Sequence, residues 1–138
     1  MSDVTTSQPG EETQPLTVFV VEPEILVRMV VAEYLRECGY IVIEGSTADD
    51  VMTVLHAGTH VDTILTELKL PGNLDGFGLA RWVRDNHPGI DVILTSTIRN
   101  AAQKAGDLCD DGPLEKPFHP RELVRRINLL RGRRRTMF

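Results

Sequence analysis

The sequence lacks any apolar stretch long enough to cross a membrane, because its hydrophobic runs are far shorter than the roughly 18 residues that a spanning helix needs. Its amino terminus also lacks the basic and apolar regions of a secretory signal peptide. We therefore expect a cytoplasmic protein without a membrane segment. The 138 residues, 41% hydrophobic and 25% charged, are enough for one folded domain with its own core.

Cysteine is scarce, and Cys38 and Cys109 lie far apart without CxxC spacing. We expect two buried or idle thiols rather than a disulfide or a metal pair. The four histidines are scattered without the spacing of metal ligands, which argues against a zinc site. No glycine-rich phosphate loop follows the first apolar run, so a nucleotide-binding or flavin-binding module is disfavoured.

The net charge of -5 conceals a strong asymmetry along the chain. Residues 121–138 carry seven arginines against the single acid Glu122, a charge of +6, whereas residues 1–120 carry eight basic and nineteen acidic residues, a charge of -11. An acidic body with an arginine-rich end is not typical of a general nucleic-acid binder. The sequence also shows no helix-turn-helix segment, so we expect no DNA-binding domain.

Short apolar runs alternate with patterns of helical periodicity. The strands are predicted at residues 17–21, 41–44, 63–67, 91–95 and 114–115, and the helices at 23–38, 47–56, 76–86, 100–108 and from 120 onward. The fourth helix is predicted to be short or irregular. Short strands separated by helices pair in parallel and carry helices on both faces. The predicted fold is therefore α/β, a flavodoxin-like doubly wound (βα)5 domain with a five-stranded parallel sheet in the order 2-1-3-4-5.

Two polar segments flank this predicted domain. Residues 1–15 are rich in Ser, Thr, Gln, Pro and Gly and are predicted to form a disordered tail. Residues 16–131 contain all the predicted strands and helices. Residues 132–138 are predicted to form a frayed basic tail that aids solubility.

Functional side chains stand at the carboxyl ends of the predicted strands. Glu22 follows the first strand, Glu67 ends the third, Ser96 follows the fourth and Lys116 follows the fifth. In doubly wound sheets, ligands bind outside the carboxyl ends of the strands, where the strand order reverses. Two acids, a hydroxyl and a lysine in this position are the layout of a phosphate-handling site.

These residues resemble the receiver domain of bacterial two-component response regulators over about residues 16–131. Four segments carry the resemblance, at residues 20–28, 65–76, 93–96 and 115–118 (VVEPEILVR, LTELKLPGNLDG, ILTS and EKPF). Each segment alone is a weak signal, but the four follow one another in order at matching strand ends.

The resemblance implies a site that accepts a phosphoryl group from a histidine kinase onto an aspartate, with the help of Mg²⁺. Carried over residue by residue, Glu22 matches the first acid of the metal-binding pair and Glu67 the phosphoryl acceptor. The backbone carbonyl of Lys69 matches a metal ligand, Ser96 the switch hydroxyl and Lys116 the lysine that pairs with the phosphoryl group. The family often has a cis peptide bond directly after this lysine.

Three positions depart from the family pattern. Pro23 falls on the second acid, Glu67 replaces the acceptor aspartate, and Pro113 stands where an aromatic residue usually moves with the hydroxyl. Glutamate reaches about 1 Å beyond aspartate, and a misplacement of that size can slow a positioned reaction about 100-fold. We expect inefficient autophosphorylation and weakened Mg²⁺ binding, and Thr95 competes with Ser96 for the switch role.

The sequence therefore predicts a stand-alone receiver that is not an enzyme and acts through protein contacts, independently of phosphorylation. Glu67 would imitate part of the activated charge and reach towards Lys116. Slow phosphoryl transfer to Glu67 is the alternative function. The expected partners are a histidine kinase or another signalling protein, or a second copy bound through the face of the fourth helix, fifth strand and fifth helix.

Overall fold

The structure is a computed structural model that describes residues 15–136, with side chains through residue 133. Its elements, in chain order, are β1 (Thr17–Val21), α1 (Ile25–Glu37), β2 (Ile41–Gly45), α2 (Ala48–His56), β3 (Thr63–Glu67), α3 (Gly76–Asn86), β4 (Asp91–Thr95), α4 (Ile98–Asp110) and α5 (Pro120–Thr136). Strands and helices alternate up to α4, as predicted.

The four strands form one parallel sheet in the order β2-β1-β3-β4. β1 lies in the centre and all five of its residues are buried, which explains its unbroken apolar run. Helices cover both faces of this sheet, so the predicted flavodoxin-like α/β fold is confirmed.

The predicted fifth strand at 114–115 is not formed, and β4 is an edge of the sheet in the described part of the chain. The backbone N–H of Leu114 donates instead to the carbonyl of Cys38, at 3.2 Å. Because this donor is satisfied at the end of α1, the segment lies away from the sheet edge that it was expected to extend.

The helices form two layers of unequal size. α1, α4 and α5 pack together on one face, with Tyr34, Leu35, Leu123 and Ile127 among their fully buried side chains. α2 and α3 cover the other face around Phe19 and other buried side chains. Each strand therefore supplies apolar side chains to both layers, as alternation along a strand requires.

The prediction of a short or irregular fourth helix was wrong. α4 spans 13 residues, because Thr97 caps it by accepting the N–H of Asn100 at 3.0 Å. Its inner face is made of small residues, including Ala101, Ala102 and Ala105, which let the helix approach the core closely.

The prediction of two idle thiols was also wrong. Cys38 and Cys109 form a disulfide, with their Cα atoms 5.5 Å apart and a sequence separation of 71. Both side chains are buried. Cys38 caps the carboxyl end of α1 and Cys109 lies in the last turn of α4, so the pairing depends on how two distant helices pack, which spacing does not reveal.

The two ends of the chain differ in how much of each predicted tail the structure describes. Residues 1–14 of the predicted amino-terminal tail lie outside the described residues, and so do residues 137–138. The backbone of 132–136 continues α5 rather than fraying, since arginine is a good helix former. Arg131 Nε also lies 2.8 Å from Glu24 Oε2, which holds this end of α5 against the start of α1. The domain boundary at 131 stays a prediction.

None of the helices in the described residues is both long enough and apolar enough to span a membrane.

Candidate functional site

Three polar side chains meet where the central strands end. Glu67 of β3 is paired in register with Thr95 of β4, and Glu22 directly follows β1, the other neighbour of β3. All three line one small cavity of about 10 Å³, closed below by core side chains. The structure thus brings together the two acids that were predicted to share a site.

Glu22 is half-buried and has a defined orientation. Its Oε2 accepts the backbone N–H of Glu24 at 2.8 Å, at the start of α1, which is also what the simpler interpretation as a helix amino-terminal acid requires. Burial raises the pKa of the Glu22 carboxyl above its ordinary value of 4.5, and the nearby charge of Glu67 raises it further, while the Glu24 N–H and Arg28 oppose the rise. The ionised form of Glu22 is therefore disfavoured here.

Glu67 turns towards the loop that follows β3. Its Oε1 accepts the backbone N–H of Lys69 at 3.3 Å. The same loop is tied down by Leu68, whose N–H donates to the carbonyl of Thr95 at 2.7 Å and whose carbonyl accepts the N–H of Gly76 at 2.7 Å. The carboxylate is thus held at the predicted acceptor position by backbone contacts.

Gly76 has a role at this site beyond starting α3. A Cβ atom at this residue would lie 2.7 Å from the carbonyl oxygen of Glu67 and 2.8 Å from the Cα of Leu68. Only glycine therefore lets α3 begin directly against the site loop. A glycine at the predicted start of this helix was the sequence signal for the close approach.

The two candidate switch hydroxyls differ in environment. Thr95 is buried, and its Oγ1 donates to the carbonyl of Thr66 at 3.3 Å. Ser96, the predicted switch residue, is exposed, and its backbone N–H donates to Asn100 Oδ1 at 3.2 Å. Thr95 is the hydroxyl that shares the cavity with Glu22 and Glu67.

Lys116 does not join this group. Its Nζ lies 3.0 Å from Asp110 Oδ1, at the end of α4, and the hypothesised Glu67–Lys116 ion pair is not formed among the described residues. No cis peptide bond occurs in the part of the chain that the structure describes, including the one before Pro117. Without a fifth strand, the backbone does not bring Lys116 to the strand ends.

The other two departures from the family pattern occupy different places. Pro23 is exposed between Glu22 and α1 and offers no acid there. Pro113 lies at the far end of α1, so close to Gly39 that a Cβ on Gly39 would be 2.6 Å from its ring. Pro113 is therefore part of the contact between the α4–α5 connection and α1.

Arg28 is a residue of the site that the sequence did not single out. Its Nη1 donates to the backbone carbonyl of Glu22 at 2.9 Å, and its Nε lies 3.4 Å from Glu44 Oε1. The buried Nε has no hydrogen bond of good geometry despite that short distance. Arg28 thus places a cation beside Glu22 from the first turns of α1, six residues after the acid.

The donor set for a metal ion is small. The described residues contain no group of three His, Cys, Asp or Glu side chains that could hold one. Glu22 and Glu67 are available with the carbonyl of Lys69, but one oxygen of each carboxylate already accepts a backbone N–H. Mg²⁺ binds through one or two carboxylates plus waters and phosphate oxygens, so these residues meet only its minimum requirement.

The chain is similar to known proteins in both sequence and structure. The family model described as response regulator receiver domain matches residues 18–128. The transcriptional regulatory protein ResD of Bacillus subtilis is 30% identical over 87% of this chain, and PdtaR of Mycobacterium tuberculosis is 32% identical over 89%. The matches cover 50% and 60% of those two proteins, so the chain spans about half the length of such relatives.

Solved structures show the same fold. A receiver domain protein from Clostridium thermocellum matches with a TM-score of 0.55 at 20% identity, covering 89% of this chain and 99% of that one. A putative response regulator from Chloroflexus aurantiacus matches with a TM-score of 0.55 at 26% identity, covering 82% of this chain and 94% of that one.

Proposed function

Because the chain belongs to the response regulator receiver family, we propose that it is a receiver module of two-component signalling that acts through protein contacts and does not depend on phosphorylation. The observation that carries this proposal is the state of the acceptor position. In the family's pattern Glu67 matches that position, and the lysine expected beside it, Lys116, is paired with Asp110, 3.0 Å away. We further propose that the module works in the cytoplasm and is not an enzyme.

The charges around Glu67 support this proposal. Phosphoryl transfer depends on positioning and on neutralising the charge of the transferred group. At this site the neighbouring Glu22 is partly buried beside Glu67 and has a raised pKa, chiefly because of that burial. With Pro23 in place of a second acid and Lys116 paired with Asp110, the site has a carboxylate side chain where the family adds charge by phosphorylation.

We also propose that the site binds Mg²⁺, but only weakly. Glu22 and Glu67 would hold the ion with the carbonyl of Lys69, and the ion would supply neutralisation of two facing carboxylates. Their repulsion, which contributes to the raised pKa of Glu22, would favour a cation, but the absence of a third acid would keep the affinity low.

The partner surface that we propose is the groove between α4 and α5, for a histidine kinase, another signalling protein or a second copy of the chain. The groove has a volume of about 1080 Å³. Its charged lining consists of Arg99, Lys116, Arg121 and Arg125, together with Asp107 and Glu122. Since a fifth strand is not formed in the described part of the chain, this surface consists of two helices and the segment that connects them, rather than the helix–strand–helix face that the sequence suggested.

A small phosphodonor tests the proposed independence from phosphorylation. Wild-type protein, the Glu67→Asp variant and the Pro23→Asp/Glu67→Asp double variant are incubated with acetyl phosphate and Mg²⁺, and their intact masses are measured. We expect no phosphoryl adduct on the wild type. We expect an adduct that requires Mg²⁺ on the double variant, since it regains both acids.

The controls separate the alternatives. Glu67→Ala removes the carboxylate, and chelation of Mg²⁺ removes the metal. A wild-type adduct that disappears in Glu67→Ala would contradict the proposal and establish slow transfer to Glu67 instead. Labelling of the Glu67→Asp single variant would show that the extra methylene, rather than Pro23, disables the site.

A further inference from the structure

The outer edge of β4 has unpaired backbone groups. Both ends of the strand bond on the β3 side, since Asp91 donates to a carbonyl of the loop before β3 at 3.2 Å and Thr95 accepts an N–H of the loop after β3 at 2.7 Å. Alternate residues of a strand direct their backbone groups to opposite sides. Val92 and Leu94 therefore face outward, towards an edge that has no strand among the described residues.

The opposite edge of the sheet, along β2, is covered by charged side chains. Arg36 Nη2 donates to the outward carbonyl of Val42 at 3.1 Å and lies 3.1 Å from Glu44 Oε2. Glu44 Oε1 in turn lies 3.4 Å from Arg28 Nε. Charged side chains along an edge strand protect it from pairing with another chain.

The edge of β4 has no such protection within the described part of the chain. Its central residues Val92, Ile93 and Leu94 are apolar and partly exposed, and the strand contains no proline and no basic residue. Its register with β3 runs without a bulge from end to end. A regular apolar edge with unpaired N–H and C=O groups is a template for a further strand.

An exposed aromatic side chain lies on the helix beside this edge. Trp82 contacts His56 of α2, with ring centroids 5.8 Å apart, so that side of α3 faces α2. Phe77 lies five residues earlier, about 140° around the helix, and is therefore on the side away from α2. Since α2 packs on β1 and α3 on β4, this is the side next to the open edge. Phe77 is 58% exposed there.

From this geometry we propose that the edge of β4 is a self-association surface, and that its occupant is β4 of a second copy in antiparallel pairing. Val92 and Leu94 lie one residue to either side of Ile93. A two-fold axis at Ile93 therefore pairs Val92 of each copy with Leu94 of the other, and each pair exchanges two backbone hydrogen bonds. The two four-stranded sheets become one continuous sheet.

The side chains that oppose one another in this register favour a second copy as the occupant. Ile93 meets its own counterpart on the axis, and Val92 meets Leu94, so the centre of the contact is apolar. Asp91, the acid of the strand, meets Thr95 rather than another acid. Like charges directly opposite would destabilise the pair, and this register avoids them although each chain has a net charge of -5.

This surface is an addition to the proposed function. Residues 92–94 line neither the groove between α4 and α5 nor the cavity that contains Glu22 and Glu67. Because the paired strands run in opposite directions, the two cavities lie at opposite ends of the dimer and both stay accessible. The test therefore depends neither on phosphorylation nor on a partner of the groove.

The oligomeric state of the full chain tests the proposal, measured by sedimentation equilibrium over a range of concentrations. We expect a wild-type dimer that dissociates on dilution. Ile93→Lys places two ammonium groups opposite one another on the axis, and we expect loss of the dimer. The matched control is Ile41→Lys on β2, where Ile41 is 52% exposed, and it should keep the dimer.

Three results would overturn the proposal. A wild type that is a monomer at every concentration would leave the edge to an extended segment of another protein. Equal loss of the dimer in Ile93→Lys and Ile41→Lys would mean that the edge of β4 is not the contact. A dimer that survives Ile93→Lys but is lost in Arg125→Glu would assign the contact to the groove between α4 and α5.

A cross-link tests the register and does not require a lysine at a partly buried position. Opposed residues between hydrogen-bonded pairs have Cα atoms about 4.5 Å apart, within the range of a disulfide. Both native cysteines are already paired with each other. Ile93→Cys, oxidised with copper phenanthroline, should give a dimer linked through position 93 in non-reducing peptide mapping, and Ile41→Cys should not. A folded Ile93→Cys variant without this link would overturn the proposal.

Discussion

Glu22 fits two roles at once, that of an acid at a helix start and that of an acid in a shared site. It accepts the N–H of Glu24 as an acid at a helix start would, and it also lies beside Glu67 as an acid of a shared site would. Both interpretations were available from the sequence, because each depends on position relative to β1. The partial burial that sets its pKa depends on the surrounding layers and was not predictable.

Substitution of Glu22 by glutamine should stabilise the protein at neutral pH. The folded-state pKa of Glu22 is raised above 4.5, chiefly by burial, so its ionised form destabilises the fold at every pH above that folded pKa. The effect decreases as the pH falls through the folded pKa and vanishes below about 4.5. Urea unfolding of Glu22→Gln and wild type at neutral and acidic pH measures it.

The control for this prediction is Glu33→Gln. Glu33 is an exposed acid on α1, and its replacement should change the free energy of unfolding little at either pH. A Glu22→Gln variant that is less stable than wild type at neutral pH would mean that the charged hydrogen bond to Glu24 outweighs burial.

The sequence predicted where the acids of the site lie better than it predicted which side chains contact one another. Glu22 and Glu67 were found from the ends of apolar runs, because a strand end is a local property of the sequence. Lys116 was placed beside Glu67 only through an expected fifth strand. Its actual partner, Asp110, lies six residues earlier, and only the path of the intervening chain decides between the two.

At the scale of the elements, a reciprocal capping box marks the start of α2. Thr47 accepts the N–H of Asp50 at 3.2 Å, and Asp50 Oδ2 accepts the N–H of Thr47 at 3.1 Å and of Ser46 at 2.8 Å. The hydrogen bond from Ser46 is the largest of the effects that lower the pKa of the Asp50 carboxyl below 3.8. This reciprocal capping box is therefore charged at neutral pH.

Loss of the cap should destabilise the protein by a measurable amount. Thr47→Ala removes the hydroxyl that accepts the Asp50 N–H, and we expect the free energy of unfolding to fall by about 1 kcal/mol. Thermal or urea unfolding measures the change. Thr53→Ala, at an exposed position inside the same helix, is the matched control and should cause no loss, since alanine has the higher helix propensity. Equal losses in the two variants would contradict the capping role.

The contrast between α2 and α4 shows what a cap contributes to prediction. Thr97 caps α4 as Thr47 caps α2, but its role was hidden in a run of hydroxyl residues, Thr95 to Thr97. The predicted fourth helix therefore began two residues late. Its small apolar residues gave a weak periodic signal, although they allow its close packing on α1.

For the molecule as a whole, the disulfide is the covalent link between two distant helices, α1 and α4. Closing a loop of 71 residues stabilises a fold by up to about 4 kcal/mol, by restricting the unfolded chain. Together with the common packing of α1, α4 and α5, this tie makes one face of the sheet a single helical layer.

Removal of the disulfide should lower the free energy of unfolding by about 2 to 4 kcal/mol. Urea unfolding of the wild type with and without dithiothreitol measures the change. The Cys38→Ala/Cys109→Ala variant should be less stable than oxidised wild type and should not respond to dithiothreitol. No change on reduction of the wild type would show that the loop contributes nothing to stability.

The sequence by itself determined the alternation of strands and helices, the four strands of the sheet and the two acids at its central strand ends. These depend on periodicity, caps and turns within short segments. Only the tertiary structure decided the pairing of Cys38 with Cys109, the open edge of β4 and the partner of Lys116. Each of these three features depends on contacts between residues that are brought together only when the helix layers pack on the sheet. Local sequence patterns do not determine that packing.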